Sequence, residues 1–269
     1  MSAAAITAGT AGCSSRDGES SRDAPGSSES EGEPVHTAVA AEWNAMRARL
    51  WDALALGVAD ETSDGAAVAE DVFARFEEAS GEYGAHEMLE ATSESNYAEF
   101  EEALGELRTA GLGAGNIERA REEANIADAQ LAEAQEAVAG ETTAQALELQ
   151  NLGGTVRNAA FLAASGNFGA ARSAAENALT RFEEATVHDV LESADAESYE
   201  AFEAGVESAV SAAESEDADA VRTASTEAFR VGRSAGGYAI AADENAAGAG
   251  RRGGGFRRQG WDGGRARVA

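Results

Sequence analysis

Arg75-Phe76-Glu77-Glu78-Ala79, His86-Glu87-Met88-Leu89-Glu90 and Tyr97-Ala98-Glu99-Phe100-Glu101 follow one another in the first half of this chain. Arg181-Phe182-Glu183-Glu184-Ala185, His188-Asp189-Val190-Leu191-Glu192 and Tyr199-Glu200-Ala201-Phe202-Glu203 follow in the same order in the second. The leading blocks, with Glu70 and Glu176 ahead of them, stand 106 residues apart, and the later blocks 102 apart. The chain holds 3 His, 4 Tyr and 9 Phe among 269 residues, so their return at fixed offsets indicates an internal duplication.

Working outward from these blocks, the apolar residues fall at helical spacing. Trp43, Met46, Leu50, Trp51 and Leu54 draw one stripe along a helix that ends near Gly57. Val68, Val72, Phe73 and Phe76 line a second helix, Gly81 and Gly84 punctuate, and His86 to Glu90 form a short turn. Tyr97, Phe100, Leu104 and Leu107 line a third helix, and Asn116 is placed to cap a fourth through Ile117, Ile126, Leu131 and Val138. The pattern restarts at Thr142, with Gln145 in capping-box register, and Gly166-Asn167 marks a helix stop followed by a start. The expected fold is all-α: two tandem similar bundles of about four helices each, related by a pseudo-twofold axis, over residues 38–141 and 142–246. Strands are not expected.

The flanks differ in composition. Residues 14–37 carry Ser, Gly, Glu and Asp with both prolines, Pro25 and Pro34, and read as a disordered acidic spacer. His36 falls in it. From Arg251 onward six Arg and six Gly accompany a single acid, Asp262, so residues 247–269 read as a disordered Gly/Arg-rich tail. A shifted reading frame in a GC-rich gene is the favoured source of such a tail, ahead of an RGG-like nucleic-acid arm carrying Phe256 and Trp261, and an unstructured tail that pairs with the acidic body is the third reading.

The net charge of −29 comes from 49 acidic and 20 basic residues, all of the latter Arg. Carboxylates in this number repel one another in dilute buffer, and concentrated salt, with a Debye length of about 3 Å at 1 M, relieves the repulsion. The composition therefore suits a protein working in brine. It also disfavours nucleic acid as a partner. One cysteine excludes an intramolecular disulfide and a multi-thiolate zinc site.

That cysteine ends Ile6-Thr7-Ala8-Gly9-Thr10-Ala11-Gly12-Cys13, a lipobox pattern in which the sulfur takes a diacylglycerol after cleavage. Residues 1–13 are read as a truncated lipoprotein signal, its basic stretch expected upstream of Met1. The rest of the chain is then extracytoplasmic, anchored to the outer face of the cell membrane through Cys13.

The candidate site is the His/Glu cluster of each copy. His86 and Glu90, like His188 and Glu192, are four residues apart and share a helix face. Glu82 and Glu184 stand four ahead of the histidines. Imidazole with carboxylates suits iron, zinc or copper, with Glu77, Glu78, Tyr97, Glu183, Glu184 and Tyr199 as surrounding groups. The alternative is that each His packs at a helix start and fixes the turn between helices. No Ser-His-Asp order, phosphate-cradling loop or metalloprotease helix is present, so an enzyme is not expected. Asn158 to Arg172, with small residues where two helices approach, resembles half of a tetratricopeptide hairpin, which implies a protein-interaction module.

The order of lipobox, acidic spacer and two copies of these blocks resembles a family of haloarchaeal lipoproteins whose members often continue into a halocyanin-like, blue-copper domain. The resemblance covers roughly residues 36–245 and implies a helical scaffold or binding module serving a cupredoxin or another redox or metal-handling partner. No Cys and no His follows His188, so no blue-copper centre is expected within these residues. A fainter likeness, through Gly84-Ala85-His86, is to imelysin and iron-uptake lipoproteins, and it implies direct cation capture.

Overall fold

The computed structural model describes residues 33–235. Cys13 with its lipobox, most of the spacer and the Gly/Arg-rich tail lie outside the described residues. Within them are ten α-helices and no strand. In the first half these are α1 (Glu33–Val58), α2 (Thr62–Glu78), α3 (Ala85–Thr92), α4 (Glu94–Glu106) and α5 (Ile117–Ala139). The second half has α6 (Glu141–Ala164), α7 (Phe168–Glu184), α8 (Thr186–Ala194), α9 (Ala196–Glu214) and α10 (Ala218–Arg230). Each half thus holds five helices where periodicity predicts about four, because the stretches read as turns at His86 and His188 close their own hydrogen bonds as α3 and α8. Helix α1 begins at Glu33, so His36 is helical and lies outside the spacer to which the sequence assigns it.

Polar side chains set several of the starts. Ser93 accepts from the Asn96 N–H ahead of α4, and Asp195 accepts from Ser198 ahead of α9. Asn116 and Asp217 do the same for α5 and α10. Asn167 caps α7 and, through its amide nitrogen, donates to the Val58 carbonyl at 3.0 Å, tying the end of α1 to the start of α7. Such a cap contributes about 1 kcal/mol. The capping box expected at Thr142 does not form: Gly140, at φ 81°, precedes α6, and the Gln145 amide donates to the Glu141 carboxylate instead. Glycine is favoured at that left-handed φ, which turns the chain between α5 and α6.

Helices α1 and α6 lie against each other at the centre, and each gathers the helices of its own half. Helix α1 packs on α2 and α5, with α4 closing the far side of α5. Helix α6 packs on α7 and α10, with α9 spanning the two. The first core holds Trp43, Met46, Leu50, Phe76, Leu89, Phe100, Leu104 and Leu131. The second holds Leu149, Leu152, Val156, Phe182, Leu191, Phe202, Val206 and Val221. Fully burying a side chain of this kind contributes roughly 1.5–3 kcal/mol, and these stripes supply most of the drive to fold. Alanines fill the crossings between them. Leu107–Gly113 continues α4 as a π-helical turn, and Gly111 there faces Ala120 so closely that a Cβ would stand 2.7 Å from the Ala120 Cα.

Candidate functional site

Each half contains an aromatic-imidazole cluster. His86, in the first turn of α3, stands between Phe76 of α2 and Tyr97 of α4, with ring centroids 5.0 and 5.1 Å away. Its Nε2 shares a hydrogen bond of 3.1 Å with the Tyr97 hydroxyl. In the second half His188 stands 5.3 Å from Phe182 and 5.1 Å from Tyr199, and its Nε2 meets the Tyr199 hydroxyl at 3.0 Å. Phe100 and Phe202 close the clusters from beneath, 4.9 and 4.8 Å from Phe76 and Phe182. The structure thus brings His86 to Tyr97 and His188 to Tyr199, two of the residues that the sequence places around the candidate site. In both halves the imidazole joins three helices through its ring and one nitrogen.

The carboxylates are arranged less evenly. Glu77 Oε1 lies 3.7 Å from His86 Nε2, and Glu77, His86 and Glu101 can bring one ligand atom each within 4.8 Å of one another. Among the described residues no other group of three meets that condition. Glu90 is exposed on α3 and lies outside this triad, although its charge acts on the Tyr97 phenol. Glu82 sits in the turn between Gly81 and Gly84, off the helix that carries His86. Glu78, Glu183, Glu184 and Glu192 are exposed, and His188 Nδ1 turns to Asp189 at 2.9 Å. Burial, then the hydrogen bond and charge of Glu101, push the Tyr97 phenol up to about 12. Tyr199 is raised by burial and by Glu203, which accepts from it at 3.4 Å.

A second constellation joins the halves. Arg47 of α1 is 2% exposed and donates to Asp128 of α5 through Nε and Nη2, both at 3.0 Å. It also donates to Gln135 at 2.7 Å and to Glu148 of α6 at 2.5 Å. Arg181 of α7 enters from the other half and donates through Nη2 to Asp128, Glu148 and Asn151. Trp51 donates its indole N–H to Asp128 at 3.1 Å and lies under the Arg181 guanidinium at 4.6 Å. Burial alone would raise the Asp128 carboxyl, yet Arg47 and Arg181 hold it below the ordinary carboxylate range. Burial likewise opposes the charge of Arg47, and Asp128 and Glu148 outweigh it, leaving the guanidinium above its ordinary range.

None of Arg47, Asp128 and Glu148 stands out in the sequence as a site, and Arg181 is read there only as part of the repeated block. The available signal is position: Arg47 falls within the Trp43-to-Leu54 stripe, and Asp128 falls between Ala127 and Leu131, which are both fully buried. A charge on an apolar stripe needs a partner.

Two open clefts flank the crossing of α1 and α6. One, of about 430 Å³, lies between α1, α6 and α7 and is walled by Trp51, Leu54, Val58 and Leu162, with Arg121 of α5 at its edge. The other, of about 480 Å³, lies between α1, α2 and α6, with Phe161, Val68 and Arg222 on its walls. Phe161 is one of the few large apolar side chains left exposed among the described residues.

A family model described as a domain of unknown function, DUF5059, matches residues 38–268. The chain belongs to this family. The DUF5059 match takes in every helix beyond the first turn of α1, both imidazole clusters and the Arg47–Asp128–Arg181 network. No curated protein and no solved structure matches the chain. Among the described residues no helix is long and apolar enough to cross a membrane.

Proposed function

We propose that this DUF5059 chain is a non-enzymatic binding module: a helical scaffold, tethered through Cys13 to the outer face of the cell membrane, that serves a redox or metal-handling partner in a halophile. The observation that carries the reading is the pair of apolar-walled clefts beside the α1–α6 crossing, since the buried charges nearby are spent on one another. Open apolar walls on so acidic a molecule are binding surfaces. The imidazoles support the same reading, because each gives its Nε2 to a tyrosine of its own half.

The scaffold is read as a tandem duplication with a pseudo-twofold axis between α1 and α6. Matched bonds support this. The Glu61 N–H donates to the Leu56 carbonyl and the Asn167 N–H to that of Leu162, both at 2.9 Å and 106 residues apart. The imidazole–tyrosine pairs match 102 residues apart, and the Asn116 and Asp217 caps 101 apart.

The second reading is direct cation capture, favoured by the convergence of Glu77, His86 and Glu101. Iron, zinc or copper held there would take His86 from Tyr97, with Glu90, His188 and Glu192 contributing at most a weaker second site. Metal analysis of protein purified in concentrated salt separates the two. The binding-module reading expects no stoichiometric metal. Stoichiometric iron, zinc or copper that disappears in a His86→Ala, His188→Ala variant replaces it with capture. Mass spectrometry of the native amino terminus tests the anchor: the expected result is a diacylglyceryl mass on Cys13, and an unmodified chain found inside the cell overturns the location.

A further inference from the structure

The two clefts occupy equivalent places in the two halves. Trp51, Leu54 and Ala55 on the α1 wall of the first correspond at an offset of 106 to Arg157, Ala160 and Phe161 on the α6 wall of the second. Leu162 in the first corresponds to Leu56 in the second, and Ala174 to Val68. Arg121 and Arg222 both stand five residues after the helix cap, Asn116 or Asp217, and both reach the cleft of the opposite half. The walls correspond, but the charges do not.

In the second cleft every guanidinium is engaged. Arg222 pairs with Asp219 at 2.9 Å, Arg49 stands 3.9 Å from both Asp52 and Asp71, and Arg157 lies over the Phe229 ring at 4.7 Å. In the first cleft the exposed Arg121 has no carboxylate or ring partner among the described residues, on a chain with 49 acidic side chains. Position 177, which corresponds to Asp71, is Asn, and its buried Oδ1 lacks a hydrogen-bond partner. An unneutralised guanidinium beside an apolar cleft selects an anion with an apolar body.

We propose that the α1–α6–α7 cleft binds a small amphiphilic organic anion, its aryl or alkyl body on Trp51, Leu54, Val58 and Leu162 and its anionic head on Arg121, with Asn177 Oδ1 accepting from a donor on the ligand. A volume of about 430 Å³ falls in the range of small-molecule sites. The second cleft, with its cations already paired, is the counterpart without such a cation. This inference rests on the binding-module reading and names the ligand class of one of its surfaces.

The probe is 8-anilinonaphthalene-1-sulfonate, compared with N-phenyl-1-naphthylamine, which has the same rings without the sulfonate. Fluorescence titration should show one sulfonate probe per chain, with energy transfer from Trp51, and weaker binding of the neutral probe. Arg121→Gln should weaken the sulfonate probe about twofold to fivefold, the range of one ion pair at an exposed site, and leave the neutral probe unchanged. Gly169→Phe, where an added Cβ meets open space, or Ser173→Phe one turn on, should block both probes with unchanged circular dichroism and melting temperature. Arg222→Gln should leave both unchanged. Equal binding of the two probes, or sulfonate binding indifferent to Arg121→Gln and to both blocking variants, overturns the proposal, and so does an absence of binding. The binding-module reading fails separately, on the appearance of stoichiometric metal.

Discussion

Replacing Asp128 by Asn tests whether the network between the halves holds them together. Asn keeps the shape of the side chain and removes its charge, so Arg47 and Arg181 keep their places while losing the carboxylate that both of them bond. Asp128 accepts two bonds from Arg47, one from Arg181 and one from Trp51, and its side chain is 9% exposed. Stranding buried charge in this way costs about 3–5 kcal/mol when nothing else compensates. Glu148 still faces both guanidiniums, which places the expected loss near the lower limit, at about 3 kcal/mol. For a chain of this size that lowers the melting temperature by about 6–12 °C. Scanning calorimetry in concentrated KCl and again in a less saline buffer is the assay, with Glu176→Gln, which breaks the exposed Arg172 pair, as the comparison. The surface variant should stay within about 0.5 kcal/mol of the parent. The Asp128 carboxyl is held below its unfolded value of about 3.9, so its contribution is fully present above that pH and is lost as pH falls through the lower folded value. The gap between parent and Asp128→Asn should thus be constant near neutrality and close in acid. A loss under about 1 kcal/mol, or one that vanishes in salt as a surface pair does, refutes the reasoning.

Glycine replacements should divide by what a Cβ meets. Gly111→Ala drives a methyl into the Ala120 backbone and should cost about 1–3 kcal/mol in urea unfolding, whereas Gly154→Ala, in open space on α6, should gain about 0.5–1 kcal/mol. Phe202→Ala removes the ring beneath the second imidazole cluster and should cost about 3–5 kcal/mol by the same measurement, with the far-ultraviolet spectrum of the folded state retained. Because the Tyr97 phenol is pushed up to about 12 by burial and by Glu101, the stability it contributes is present below the unfolded value of about 10 and is lost as pH rises through the folded one. Ultraviolet titration should show the late-ionising tyrosine signal of the parent reduced in Tyr97→Phe, with the part that belongs to Tyr199, which is also raised, retained.

What could be read from the sequence is what is local or repeated. The caps Asn116 and Asn167, the stop at Gly166 and the stripe from Trp43 to Leu54 are short-range patterns with direct steric or hydrogen-bonding causes, and each stands where the spacing puts it. Tyr97 is grouped with His86 by blocks that return together, but nothing in the spacing says that its hydroxyl meets the imidazole Nε2. Thr142 misled because a capping box needs its first residue outside the helix, and Gly140 already turns the chain one residue before α6. Glu90 misled for a different reason. A spacing of four predicts a shared face, but His86 turns its ring inward between α2 and α4, where Glu77 and Glu101 meet it from other helices. The Arg47–Asp128 pair spans 81 residues, and nothing local marks one aspartate among so many acids as its partner.

The placement of the arginines explains how so acidic a chain can keep two halves in contact. Arg75, Arg108, Arg172 and Arg222 sit on the surface beside carboxylates of their own half, where each relieves local repulsion and is screened by salt. Arg47 and Arg181 are withdrawn from that surface to the seam between the halves, where Asp128 of α5 is buried and Glu148 of α6 is partly buried. Screening acts through solvent, and little solvent reaches a group 2% exposed, so brine weakens the repulsion between the two acidic exteriors far more than the attraction at their seam. Dilution reverses only the first effect. Loss of salt should therefore loosen the periphery before the seam, with the exposed faces of α2, α3, α8 and α9 exchanging their amide hydrogens ahead of α1, α5 and α6. Simultaneous exchange across all of these helices would mean that the repulsion acts on the fold as one unit and that the buried network gives the seam no separate protection.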